Sequence, residues 1–209
     1  MPKLSFPRSS FHRAIKSIAI SYLALCGYAL AQHTYKPDGV HVSGLPTLMA
    51  RSHDPSDVLL TSLNTIVPDR EVCCGKDSAL EDSAQRADPT SLQDVAAKLQ
   101  GRHLLSDGRP IIVTAKYIAP DALNAYLLIE TLQQEHAMLM LWKSHLYVLY
   151  GATFIEDYDS NTSTSSNSIA KLLLIDTRYS DSRRSTEFNR ETDDWNKVQG
   201  FLWVSVEGP

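Results

Sequence analysis

Two apolar segments, HLYVLYGATF (145–154) and IAKLLLIDT (169–177), decide the fold, and the polar segment DYDSNTSTSSNS (157–168) lies between them. Aliphatic and aromatic residues dominate both apolar segments, which is typical of β-strands. Because the polar segment is rich in Ser, Thr and Asn, we expect a loop there and an antiparallel pair of strands around it. Folding about Ser160 and Asn161 makes His145 and Asp176 cross-strand neighbours, with Cβ atoms about 5 Å apart on a shared face.

The rest of the chain predicts helices before most of the strands. Helical spacings and caps are found in 56–66, 78–86, 91–99 and 120–134, and Ser78 and Glu81 have the spacing of a capping box. Further strands are expected at 110–117, 137–142 and 201–206. The charged stretch 180–199 is expected to be a solvated loop anchored by Trp195. This order of elements predicts an α+β fold in which N-terminal helices pack on a C-terminal antiparallel sheet.

The N-terminal 31 residues are typical of a secretory signal peptide. Four basic residues precede the apolar stretch 18–30, and Ala29-Leu30-Ala31 forms a cleavage site of small residues. The apolar stretch is short for a membrane-spanning helix, so no stable span is expected after cleavage. We therefore expect export to a periplasmic or extracellular location, an irregular or flexible arm over 32–55, and one domain over 56–209.

Loss of residues 1–31 makes the chain markedly acidic. Four of the 20 basic residues lie there and none of the 24 acidic residues does, so 16 basic and 24 acidic residues remain, a net charge of −8. An acidic chain without basic clusters is a poor partner for nucleic acid or anionic membranes.

Only Cys73 and Cys74 remain after such a cleavage. Adjacent Cα atoms lie ~3.8 Å apart, closer than the ~4.4 Å minimum of a relaxed disulfide, so a bridge between neighbours is strained and easily reduced. At least one reactive thiol is therefore expected. Cys73 and Cys74 are both open as the nucleophile, and a buried structural pair is the alternative.

Cys74, His145 and Asp176 are the residue types of a thiol hydrolase. A thiol becomes a good nucleophile when an imidazole helps to deprotonate it, and an acidic partner orients the imidazole and raises its pKa. Simpler interpretations also stand: His145 as an exposed residue at a strand end, and Asp176 as the partner of Arg178 or another arginine. The sequence has no CxxC, HxxxH or glycine-rich phosphate loop, so we expect neither a metal nor a cofactor.

Three stretches resemble the papain-like cysteine peptidase superfamily, and most closely its double-glycine-leader peptidase branch. They are CCGKDSAL with Cys74, HLYVLYG with His145 and LLLIDTR with Asp176. The resemblance implies a papain-like fold in which Cys74 attacks an amide carbonyl, His145 protonates the leaving amine and Asp176 orients the ring. The stretch before the cysteines, IVPDREV (66–72), lacks the Gln that completes the oxyanion hole in such enzymes.

The sequence thus predicts, first, an exported cysteine hydrolase acting on a peptide or related amide. The alternatives are a secreted, non-catalytic papain-like domain that binds a protein or cell-envelope partner, and a redox protein that uses the vicinal thiols.

Overall fold

The fold is a mixed arrangement of helices and antiparallel sheet, so the predicted α+β class is confirmed. The computed structural model describes residues 33–67, 69, 71–73, 78–159 and 164–208. The predicted signal peptide, Cys74 and residues 160–163 of the predicted loop lie outside these residues.

Four helices occur in the described part of the chain: α1 Pro55–Ile66, α2 Glu81–Gln85, α3 Leu92–Leu99 and α4 Ala125–Gln133. A side-chain cap fixes the start of three of them, because Asp54, Ser91 and Asn124 each accept a backbone N–H of the first turn. Asn124 therefore starts α4 later than the predicted Pro120. The predicted capping box at Ser78 is wrong as a helix start, since α2 begins at Glu81 with Leu80 as its N-cap.

Eight strands are described, and they form one sheet. They are β1 His33–His41, β2 Gly101–Leu104, β3 Pro110–Ile118, β4 Met138–Trp142, β5 His145–Asp159, β6 Thr164–Ile175, β7 Ser185–Asn189 and β8 Val198–Glu207. Their order is β2-β3-β8-β4-β5-β6-β7, and β1 also pairs with β5. The strands pair antiparallel in β2–β3, β3–β8, β4–β5, β4–β8 and β6–β7.

Three strands, β1, β2 and β7, lie where the sequence predicted none. The arm expected to be irregular contains β1, because its backbone pairs with β5; the part from 42 to 54 has no helix or strand. The stretch 180–199 is not a solvated loop, since β7 pairs with β6 and Phe188 is fully buried. β5 and β6 also extend well into the polar segment 157–168.

The chain divides into two compact units. One comprises residues 1–36 and 156–166, whose described parts belong to β1, β5 and β6; the other comprises 37–155 and 167–209. The domain predicted over 56–209 thus contains residues of both units, and its boundary at residue 56 stays a prediction.

Most of the core lies in the larger unit, between helices and sheet. α3 packs against β3 and β8, and α1 packs against β4. The largest fully buried side chains come from both layers and include Leu59, Leu99, Met138, Leu139 and Phe201. Their burial removes apolar surface from water, which is the main favourable term in folding.

Candidate functional site

His145 lies in a cleft between the beginning of α1 and the turn that joins β4 to β5. We call it the histidine cleft; it has a volume of about 50 Å³, and its lining includes His53, Pro55, Thr90, Ser144, His145 and Arg178. The turn Lys143–Ser144 is two residues long, and both residues have positive φ, of 51° and 61°. This backbone suits the twist of a tight hairpin, and it places His145 directly opposite Trp142.

Asp176 follows β6 directly and is almost completely buried, with 4% of its surface exposed. Its carboxylate accepts hydrogen bonds from Arg178 Nε at 2.8 Å, from Nη2 at 2.5 Å and from the Arg178 backbone N–H at 3.0 Å. The paired guanidinium compensates the charge of the buried carboxylate. The pairing of Asp176 with Arg178, one of the two interpretations left open by the sequence, is therefore found.

Arg178 also contacts His145. Its Nη1 lies 2.7 Å from His145 Nδ1. Because a guanidinium can only donate, Nδ1 accepts this bond, and the ring in this arrangement is neutral with its proton on Nε2. The guanidinium thus lies between the imidazole and the carboxylate.

The pKa of His145 is lowered from its ordinary value, and not raised as the sequence predicted. His145 is an exposed residue at the start of β5, as the simpler interpretation predicted, yet partial desolvation by its neighbours is the largest cause of the lowered pKa. The nearby Arg178 cation adds to it, whereas Asp176 acts in the opposite direction. Desolvation and the Arg178 cation both disfavour the imidazolium. The expectation of an acid-stabilised imidazolium is therefore wrong for this arrangement, because desolvation and the intervening arginine together outweigh the carboxylate.

Neighbouring residues hold this network in place. Thr177 and Ser62 of α1 are both fully buried, and their hydroxyl oxygens lie 3.0 Å apart. The backbone N–H of Ala50 donates to the Thr177 carbonyl at 2.9 Å. Because buried polar groups without such partners are costly, these bonds fix the end of β6 against α1 and the segment before it.

Cys73 does not belong to this group of residues. It is buried and disulfide-bonded, and the other two cysteines, Cys26 and Cys74, lie outside the described residues. Cys73 follows the C-terminal end of α1, whereas the N-terminal end of α1 lines the histidine cleft. Because a helix of 12 residues spans about 18 Å, Cys73 and the histidine cleft lie towards opposite ends of α1.

The sheet register leads to the same placement of Cys73. Glu71, two residues before Cys73, pairs with Arg109 at 3.2 Å, just before β3 begins. β3 pairs with the C-terminal end of β8 at Glu207, whereas Trp142 beside His145 pairs with its N-terminal end at Val198. From Val198 to Glu207, β8 spans about 30 Å. Cys73, near the start of β3, therefore lies far from His145. Cys73 is thus a poor candidate for the nucleophile.

Comparison with known proteins adds no assignment, since no protein-family model and no curated protein matches the chain. Among the described residues, no group of three or more His, Cys, Asp or Glu side chains is arranged to hold a metal ion. The helices of this part of the chain are also too short or too polar to cross a membrane.

Sequence reasoning did not assign Arg178 to His145, although it named Arg178 as a partner of Asp176. The available signal is the spacing Asp-Thr-Arg, because an arginine two residues after an aspartate can bind its carboxylate. Asp181–Ser182–Arg183 repeats this spacing, and there too the pair closes, at 2.8 Å.

Proposed function

We propose that this chain is an exported domain of papain-like architecture that binds a protein or cell-envelope partner and does not use His145 for catalysis. The observation that carries this proposal is the hydrogen bond between Arg178 and His145 Nδ1. A general base needs a free lone pair, and in this arrangement Arg178 occupies the lone pair of Nδ1 while Nε2 carries the proton. The histidine cleft then serves as a recognition site.

Cysteine hydrolysis of a peptide or related amide is the second candidate function. It is supported by the position of His145 in a cleft, with the Asp176 carboxylate one guanidinium away. For this activity Arg178 has to leave Nδ1, so that the ring can take the proton of the Cys74 thiol and pass it to the leaving amine. The missing upstream Gln leaves Asn64 or a backbone N–H as oxyanion donor.

A redox function of the vicinal cysteines is the third candidate, and the disulfide bond of Cys73 supports it. In such a protein a disulfide is reduced by two electrons and two protons to two thiols, and an external thiol reductant supplies both. This reaction requires no help from His145.

Thiol alkylation separates catalysis from the other functions. The reduced protein, an unfolded control, His145→Ala and the matched variant His136→Ala are treated with iodoacetamide near neutral pH. A non-catalytic domain reacts no faster than the unfolded control, and His145→Ala leaves the rate unchanged. One thiol that reacts at least tenfold faster, and loses this excess only in His145→Ala, would establish the hydrolase instead. Reversible two-electron oxidation that survives His145→Ala would establish the redox protein.

Binding at the histidine cleft is tested by co-sedimentation with cell-envelope fractions. Thr90→Arg narrows the cleft, and the exposed Thr192→Arg is the matched control. We expect Thr90→Arg to reduce the sedimented fraction about fivefold or more, which corresponds to the loss of roughly 1 kcal/mol of contact energy. Equal sedimentation of both variants would exclude the cleft as the binding site.

A further inference from the structure

A second concave site lies between the sheet and α4, on elements other than those that line the histidine cleft. This site, the tryptophan groove, has a volume of about 180 Å³. Its lining includes Lys116 and Ile118 of β3, Trp203 of β8, and Leu127, Glu130 and Gln134 of the α4 segment. Drug-sized ligands occupy pockets of about 300–1,000 Å³, so this groove suits a single small ring.

The backbone fixes the two sides of the tryptophan groove. Lys116 and Trp203 are directly opposite each other in the β3–β8 pair, so their side chains share one face of the sheet. Glu130 and Gln134 are four residues apart, and the Gln134 backbone N–H donates to the Glu130 carbonyl at 3.1 Å. Helical spacing therefore places both side chains on the same side of α4.

The lining combines an aromatic surface with polar groups of every hydrogen-bonding type. Trp203 is partly buried, whereas Lys116, Glu130 and Gln134 are exposed at the groove. The ammonium donates, the carboxylate accepts, and the amide does both. One positive and one negative charge give the groove no net charge.

From this combination we propose that the tryptophan groove binds a neutral sugar residue of a glycan. The C–H face of a pyranose ring packs on the indole, while its hydroxyl groups both donate to Glu130 and Gln134 and accept from Lys116 and Gln134. A purely apolar ligand would desolvate these polar groups without replacing their hydrogen bonds, and a polyanion would meet the Glu130 carboxylate. The inference goes beyond the proposed function, because it assigns a second binding site, for a sugar residue, on elements other than those of the histidine cleft.

Indole NMR signals of the full-length protein test the proposal. The chain has three tryptophans, and Trp203→Phe identifies the Trp203 signal while keeping an aromatic ring in the groove. The probes are the neutral trisaccharides of glucose and of N-acetylglucosamine, with glucuronate and inorganic phosphate as charged comparisons. We expect a neutral trisaccharide to shift the Trp203 signal with a Kd of about 1 mM, and the Trp142 and Trp195 signals to stay in place.

Variants on α4 supply the specificity control. Gln134→Ala removes a donor and an acceptor, and Glu130→Gln replaces an acceptor oxygen by a donor; each is expected to weaken binding about fivefold. Gln133→Ala is the matched control, since Gln133 is exposed on the same helix and does not line the groove. The proposal is overturned if no neutral sugar shifts the Trp203 signal at about 50 mM, if the charged probes bind as well, or if Gln133→Ala weakens binding as much as Gln134→Ala.

Failure of this proposal is distinguishable from failure of the proposed function. The alkylation rates report on His145 and the thiols, and co-sedimentation of the Thr90 variant reports on the histidine cleft. The Trp203 signal reports on the tryptophan groove. If the Trp203 signal does not shift while Thr90→Arg reduces sedimentation, the proposed binding function stands and only the sugar proposal is refuted.

Discussion

Arg178→Met tests whether the buried ion pair holds the histidine cleft together. The side chains of Arg178 and Asp176 are only 14% and 6% exposed, so removing the guanidinium leaves a carboxylate without its charged partner. Breaking such a pair costs about 3–5 kcal/mol. We expect about 3 kcal/mol, the lower end, because the backbone N–H of residue 178 still donates to Asp176.

A thermal unfolding experiment measures this effect. In a chain of this size each kcal/mol shifts the midpoint by about 2–4 °C, so Arg178→Met is expected to lower it by about 6–12 °C. The chain offers a matched control in Arg183→Met, because Arg183 pairs with Asp181 at the same sequence spacing, but with side chains 65% and 52% exposed. Exposed pairs contribute little, so its midpoint is expected to stay within error of the unchanged protein. Equal shifts in the two variants would refute the reasoning.

Two further predictions concern His145 and a close backbone contact. NMR titration of the ring is expected to give His145 a pKa below 6.5 that rises in Arg178→Met, because the nearby cation is removed. Since the unfolded chain then binds a proton more readily than the folded one, the free energy of unfolding falls as pH drops below about 6.5, and His145→Gln reduces that slope; a slope that is unchanged in the variant would contradict this. Gly200→Ala is expected to cost about 2–3 kcal/mol, as read from denaturant midpoints, because φ is +150° and a Cβ there overlaps the Tyr117 ring. Gly39→Ala, whose Cβ meets its nearest atom at 3.5 Å, is the control and is expected to change little.

The segments with strong periodicity could be predicted from the sequence. β3, β4 and β8 were expected within one to three residues of their observed bounds, and α1 and α3 within one. β5 and β6 were also expected, as neighbours in the sheet, but their ends were wrong, and Asp176 follows β6 instead of ending it. The pairing of His145 with Asp176 across the hairpin stays a prediction. Apolar residues at fixed spacing specify such elements locally.

The missed strands β1, β2 and β7 each depend on pairing with a longer strand. β1 and β7 contain charged and polar residues that are typical of loops, and each becomes a strand because a longer strand supplies its hydrogen bonds. β-propensity is strongly context-dependent, so the local sequence of such a segment does not predict a strand. The buried Phe188 was the one local signal for β7.

The candidate site was predicted in part for a similar reason. Both Asp176 and His145 are located by the strands that they terminate or begin. The third side chain, Arg178, has enough reach to bind the carboxylate, the imidazole, or solvent, and sequence alone does not choose between them. That choice adds to the lowering of the His145 pKa, of which desolvation is the larger cause.

The central position of β8 constrains how this protein folds. The hairpin β2–β3 and the meander β4–β7 are each made of strands close in sequence, and β8 is the strand that joins them in the sheet. Local hairpins form quickly, whereas contacts between distant parts of the chain form slowly because their loops must first close. We therefore expect the two sub-sheets to form early and to be joined only when residues 198–207 dock between them, so that the slowest step of folding is the arrival of the last strand.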